Sequence, residues 1–288
     1  MSGVYVICST PLKQRGPAIF TISRCPAVRV IACLTSVLAL SANSLGQSLK
    51  PYDGVISQLI AAYPNFLTQQ DGNNLIWIDG TKMPIDDGIA DKPVEKLLET
   101  PDLKDQFHFP YVPGKPAAAP LENEDPGRIR FDPLFRKMYG DCRKGGVSGD
   151  MVQVAWLPKH KGGRVMATKI NGVAAHLQEV SDELDTLPDQ FMTFLMPTAG
   201  TFNCRVIAGT DRASVHAYGA AIDINTKHAH YWRNAKAGAG GTLAYQNEIP
   251  FEIVDIFERH GFIWGGKWYH YDTMHFEYRP ELLPPLTR

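Results

Sequence analysis

Along residues 172–186 the apolar positions Val173, Leu177, Val180 and Leu184 fall on one helical face, with polar residues on the other sides. That spacing predicts an amphipathic helix. Apolar runs at residues 151–157 and 164–170 precede it and read as a strand pair, and short β-rich runs follow at 203–208 and 220–225. Pro250 opens a second helix through His260, and Gly261 stands where a helix-terminating glycine belongs. Residues 262–264 and 274–278 close the chain as strands. Strands and helices in this order predict an α+β domain over residues 129–288, a small antiparallel sheet with flanking helices, rather than alternating βαβ units. Upstream, residues 55–67 have helical spacing. The run from Asn74 ends in Asp79-Gly80, a hairpin signal, and residues 93–103 read as a helix ended or kinked by Pro101. Residues 110–127 are rich in proline and read as a linker, so residues 47–128 form an N-terminal extension.

The first 52 residues contain no Asp or Glu, and four basic residues (Lys13, Arg15, Arg24, Arg29) precede an apolar run at 30–40 that small residues follow. Charged, then apolar, then small is the order of a secretory signal, and the run is too short to span a bilayer as a permanent helix. Residues 1–46 are therefore expected to be a signal peptide or an N-terminal anchor. The protein is expected in the periplasm or cell envelope, with membrane contact only through that segment if it stays uncleaved. Its removal takes away four basic residues and three of the five cysteines, leaving 25 basic against 30 acidic residues. A net charge of −5 without a basic run argues against nucleic acid as a partner. The two remaining cysteines, Cys142 and Cys204, are an even count in an exported chain and are expected to pair.

The chemistry sits in the last third. Ser214-Val-His216-Ala-Tyr-Gly219-Ala-Ala221-Ile-Asp223 is followed about fifty residues later by Asp272-Thr-Met-His275-Phe-Glu277. Two imidazoles and a carboxylate suffice to hold one metal with a position open for water, and a second carboxylate stands beside them as a general base. Alternation turns Ile222 and Ile224 to one side of a strand and Asp223 to the other; Gly219 permits the reversal that brings His216 back over that strand. Ser214 is expected to orient the loop through its hydroxyl. His275 and Glu277 share a strand face, which makes Glu277 a supporting partner rather than the base. His228 and His230 fit a second metal site less well than a loop at the cleft. Trp264, Trp268, Tyr269 and Tyr271 crowd the approach to Asp272, and Trp268 and Tyr269 are the candidates for stacking on substrate.

The two motifs resemble the zinc D-alanyl-D-alanine carboxypeptidase family, which includes vancomycin-resistance D,D-peptidases and L-alanyl-D-glutamate endolysins and shares a fold with hedgehog signalling domains. The pattern Ser-x-His-x-x-Gly-x-Ala-x-Asp followed by Glu or Asp-x-x-His is met at every marked position, and the resemblance covers roughly residues 200–285. It implies Zn2+ as cofactor, His216, Asp223 and His275 as its ligands, and Asp272 as general base. The family also uses an arginine ahead of the His motif to steady the carbonyl oxygen or hold a substrate carboxylate; Arg205 is the candidate and Arg212 the rival. The implied substrates are peptidoglycan stem peptides or muropeptides. The competing class is a catalytically silent zinc-containing wall-binding module of the same fold, against which the retained Asp272 counts. A non-haem iron oxygenase also uses two histidines and a carboxylate, but the six-residue gap between His216 and Asp223 does not suit it.

Overall fold

The computed structural model describes residues 53–207, 209–235 and 242–285, which form one compact unit. The expected signal or anchor at 1–46 lies outside the described residues. Among the described residues no helix is long and apolar enough to cross a membrane.

The architecture is α+β, with three small antiparallel sheets among the described residues. Helix α1 (Asp53–Ala62) leads into a three-stranded meander, β1 (Leu67–Asp71), β2 (Asn74–Trp77) and β3 (Lys82–Pro84). The expected helix at 55–67 is shorter than its apolar spacing suggests, because Pro64 disfavours helical backbone at Tyr63 and the chain turns there into β1. The Asp79-Gly80 signal marks the turn between β2 and β3, with Gly80 at φ 80°. Helix α2 (Val94–Glu99) stops ahead of Pro101, and α3 (Asp132–Tyr139) follows after the proline-rich stretch.

Strands β4 (Met151–Ala155) and β5 (Arg164–Thr168) pair as expected, and α4 (Val173–Leu184) packs on them with Val173, Leu177, Val180 and Leu184 all buried. After the short α5 (Met192–Leu195) comes β6 (Ala221–Asp223), then α6 (Phe251–Arg259), β7 (Phe262–Trp264) and β8 (His275–Tyr278). The third sheet has the order β6-β8-β7. Its register sets Asp223 opposite His275 and Ala221 opposite Glu277. Phe257 of α6 stacks on Phe276 at 3.8 Å, which fixes the apolar back of β8 so that the front can carry polar groups. The strand expected at 203–208 is a single bridge between Val206 and Ala213. Cys142 and Cys204 form the expected disulfide.

The proline-rich stretch is not a free spacer. It lies along the domain, and its carbonyls accept bonds that proline, lacking an N–H, could not donate. The Val112 carbonyl takes Lys267 Nζ at 2.7 Å, that of Glu124 takes the Tyr269 N–H at 2.8 Å, and that of Pro126 takes Trp268 Nε1 at 2.7 Å. The buried Tyr111 hydroxyl donates to Glu258 at 2.5 Å and accepts from the Trp264 N–H at 2.9 Å. One hydrophobic core runs from Ile56 and Leu59 of α1 through Trp77 to α4, α6 and β8, so the extension and the domain it precedes are packed together.

Candidate metal centre and its cavity

A turn of 3-10 helix at Val215–Tyr218 carries His216, and Gly219 ends it at φ 68°. A side chain at Gly219 would meet Met151 Sδ at 2.6 Å, so both the backbone and the space there call for glycine. The chain then enters β6, which buries Ile222 and turns Asp223 the other way. Ser214 sits at the start of the turn without a side-chain capping bond; its backbone N–H bonds the Arg205 carbonyl at 3.0 Å instead. The loop is therefore held by main chain, not by the hydroxyl as the sequence suggested.

His216 Nε2, His275 Nδ1 and Asp223 Oδ1 form a triangle with edges of 3.2, 2.9 and 3.2 Å. Tetrahedral ligands about 2.0–2.1 Å from a zinc ion stand roughly 3.3 Å apart, so this donor set fits such an ion. Each imidazole is oriented from behind. His216 Nδ1 faces the Thr201 carbonyl at 2.6 Å, and His275 Nε2 faces Glu277 Oε2 at 3.1 Å. Placing the ring protons on those outer nitrogens leaves two lone pairs aimed at Asp223, an arrangement that requires a cation or protons at the centre.

The charges follow that geometry. Burial alone would raise the Asp223 carboxyl, but His216 and His275 outweigh it and hold it far below the usual carboxylate range. Burial would lower His275, yet Asp223 and Glu277 push it up to about 10. Glu277 is fully buried and is held down at about 2 by Arg130, His275 and Arg279. Arg279 donates to Glu277 at 3.0 Å, to Glu281 at 2.5 Å and to the Gly127 carbonyl at 2.6 Å.

Asp272 stands outside the triangle, its backbone N–H bonded to Gly265 and its residue bridged to Tyr231. Its buried Oδ1 has no hydrogen-bond partner. Burial, aided by the charge of Asp223, pushes its carboxyl up to about 6. A carboxylate left unpartnered beside a metal-ligand set is poised to take a proton near neutral pH.

His216, Asp223, Asp272 and His275 line one cavity of about 130 Å³. Arg205, Arg212, Ser214 and Trp268 also line it. Arg205 is exposed, whereas Arg212 is half-buried with Nε and Nη1 unbonded. Burial and the neighbouring Arg130 and Arg128 lower Arg212 to about 10. Trp268 commits its N–H to Pro126 and brings its ring within 5.7 Å of His275. Tyr269 does not line this cavity; its backbone N–H is tied to Glu124 and its hydroxyl accepts from the Leu243 N–H at 3.2 Å. His228 and His230 point to Thr193 and Glu248, while the following Tyr231, Trp232 and Arg233 form the wall.

Sequence reasoning missed the contribution of the proline-rich stretch. Asp125, buried within it, accepts from the His270 N–H at 2.9 Å and faces His270 Nδ1 at 2.7 Å; Arg128 pairs with Asp125 at 2.9 Å. His270 and Arg128 both line the cavity. An acidic residue beside Pro126 and Gly127 looks like turn chemistry, and no local pattern points to a partner 145 residues away.

Residues 208–278 match the model of a peptidase family described as D-alanyl-D-alanine carboxypeptidase. The matched stretch bears the site and is similar to that family over those residues. Its match bears out the resemblance read from the two motifs and spans His216, Asp223, Asp272 and His275. Arg205, both cysteines and the proline-rich stretch lie outside it. No curated protein and no solved structure gives a significant match to the chain.

Proposed function

We propose that the protein is a zinc-dependent carboxypeptidase of the cell envelope that removes a terminal residue from peptidoglycan stem peptides. The observation that carries this reading is the triangle of His216, Asp223 and His275 with the unpartnered Asp272 beside it. His216, Asp223 and His275 would hold the ion, which when bound polarises the scissile carbonyl and lowers the pKa of water to about 7. Asp272 takes the proton of the attacking water and later returns it to the leaving amine. Arg212, whose Nε and Nη1 are unbonded, offers its guanidinium to a substrate carboxylate, for which a planar guanidinium gives a two-pronged contact that lysine does not reproduce. Arg205, exposed and among the residues that line the cavity, would steady the carbonyl oxygen. The small cavity suits the end of a peptide, and Trp268 and Trp232 supply apolar walls.

Export is supported by the charge pattern of residues 1–46 and by the disulfide. The test gives the purified protein and its Asp223→Ala variant muropeptides of defined stem length, with and without a chelator, and reads products by mass spectrometry. Metal-dependent loss of one terminal residue, absent in the variant, is the expected result. A wild-type protein that binds zinc and cleaves no stem would instead make this a wall-binding module.

A further inference from the structure

A second group of metal-ligating side chains lies on the outer surface, apart from the cavity. His176 and Glu179, three residues apart on α4, share one helical face, and His260 follows directly on α6. His176 Nδ1 stands 3.0 Å and His260 Nδ1 3.3 Å from the same oxygen, Glu179 Oε2. All three donor atoms lie within 4.8 Å of one another. We propose that His176, Glu179 and His260 form a second zinc site that cross-links α4 to the end of α6.

Two features beyond proximity support it. Both rings are already oriented. His176 stacks on Tyr278 at 5.3 Å with 16° between planes, and His260 turns its other nitrogen to Glu183 Oε2 at 3.0 Å. A ligating histidine whose far N–H is held by a carboxylate is the arrangement that fixes the tautomer and raises ligand basicity. Glu183 is itself anchored by Arg259, at 2.8 Å from Oε1 and 3.0 Å from Oε2, which keeps it in this supporting place. The donor set of two imidazoles and one carboxylate selects zinc or a similar borderline cation; calcium and magnesium need a cage of oxygens that is not present here. The side chains are 21–55% exposed, so water has access to complete the coordination. Because Tyr278 lies in the same strand as His275, occupancy stiffens the platform that carries the first site.

The test uses the full chain stripped of metal, titrated with zinc against a competing indicator, with circular dichroism to verify the fold. Wild type is expected to bind two equivalents. His176→Ala and His260→Ala are each expected to bind one, and Glu183→Gln to bind two with the weaker affinity reduced about 10–100-fold. In a His216→Ala background the remaining equivalent should raise the thermal midpoint, and His176→Ala added to it should abolish that rise. A folded His216→Ala protein that binds no zinc would overturn the proposal. If the first site were misassigned, His216→Ala would leave the stoichiometry of wild type unchanged while His176→Ala still removed one equivalent, so the two failures are separable.

Discussion

Replacing Asp272 by Asn should make the metal-free protein more stable while destroying its activity. The carboxyl is buried with an unbonded oxygen, and burial pushes its pKa from the ordinary 3.8 up to about 6. A carboxylate raised on folding destabilises the native state above the folded pKa, and this cost disappears below the unfolded pKa, where both states are neutral. Linkage between those two values gives about 3 kcal/mol at about pH 7.5 and about 1 kcal/mol at about pH 4.5. Asp272→Asn should recover most of that difference. Urea denaturation of chelator-treated wild type and variant at the two pH values measures it. The expected result is a gain at the higher pH that shrinks by about 2 kcal/mol at the lower, with peptide hydrolysis by the zinc-loaded variant down about 10²–10⁴-fold. The wild-type rate itself should fall as pH drops through about 6 or somewhat below, since a bound cation favours the ionised carboxyl. A variant less stable than wild type, or one whose stability change is the same at both pH values, would refute the reasoning that this carboxylate is held charged against an opposing environment.

Two further expectations concern the surroundings of the site. Reducing the Cys142–Cys204 disulfide, which closes a separation of 62 residues, should cost about 2–4 kcal/mol and lower the thermal midpoint in calorimetry; an unchanged midpoint would mean the bridge constrains nothing. Arg212→Ala should raise KM about tenfold or more with a smaller change in kcat, and Arg212→Lys should not restore it, because the planar guanidinium, with Nε and Nη1 unbonded, holds its donors in fixed directions that an ammonium cannot copy; steady-state kinetics on a stem peptide reads both.

What the sequence disclosed was local. The face Val173, Leu177, Val180, Leu184 specified α4, the Pro250 and Gly261 punctuation bounded α6, and alternation placed Glu277 on the side of His275. The two motifs named the triangle because each is a short-range pattern. The pairing of β6 with β8, which sets Asp223 against His275, spans 52 residues and has no local signal. The proline-rich stretch was misread for a related reason. Proline reports that a segment cannot join a ladder, and says nothing about whether its carbonyls meet donors elsewhere. Tyr269 was drawn to the cavity by its place between Trp268 and Asp272, yet it lies in a turn, where its N–H is held by Glu124 and its hydroxyl meets Leu243, partners far away in the chain.

The long-range contacts also explain why the segment before residue 129 packs with the stretch that matches the peptidase family. Tyr63 of α1 donates to Glu281 at 2.6 Å, Glu281 and Glu277 both hold Arg279, and Glu277 faces His275. Every member of this chain is buried, Arg279 completely, and a guanidinium without its carboxylates there would be costly. The charge of Glu277, which orients His275, thus depends on an arginine whose other supports are the Gly127 carbonyl of the proline-rich stretch and Glu281, the residue that α1 reaches. Asp125 likewise holds His270 and Arg128, which line the cavity. The residues that match the peptidase family supply the donors of the triangle, while Asp125 and Gly127 of the proline-rich stretch and Tyr63 of α1 hold the groups that orient their neighbours, so the cavity depends on residues well outside the matched stretch.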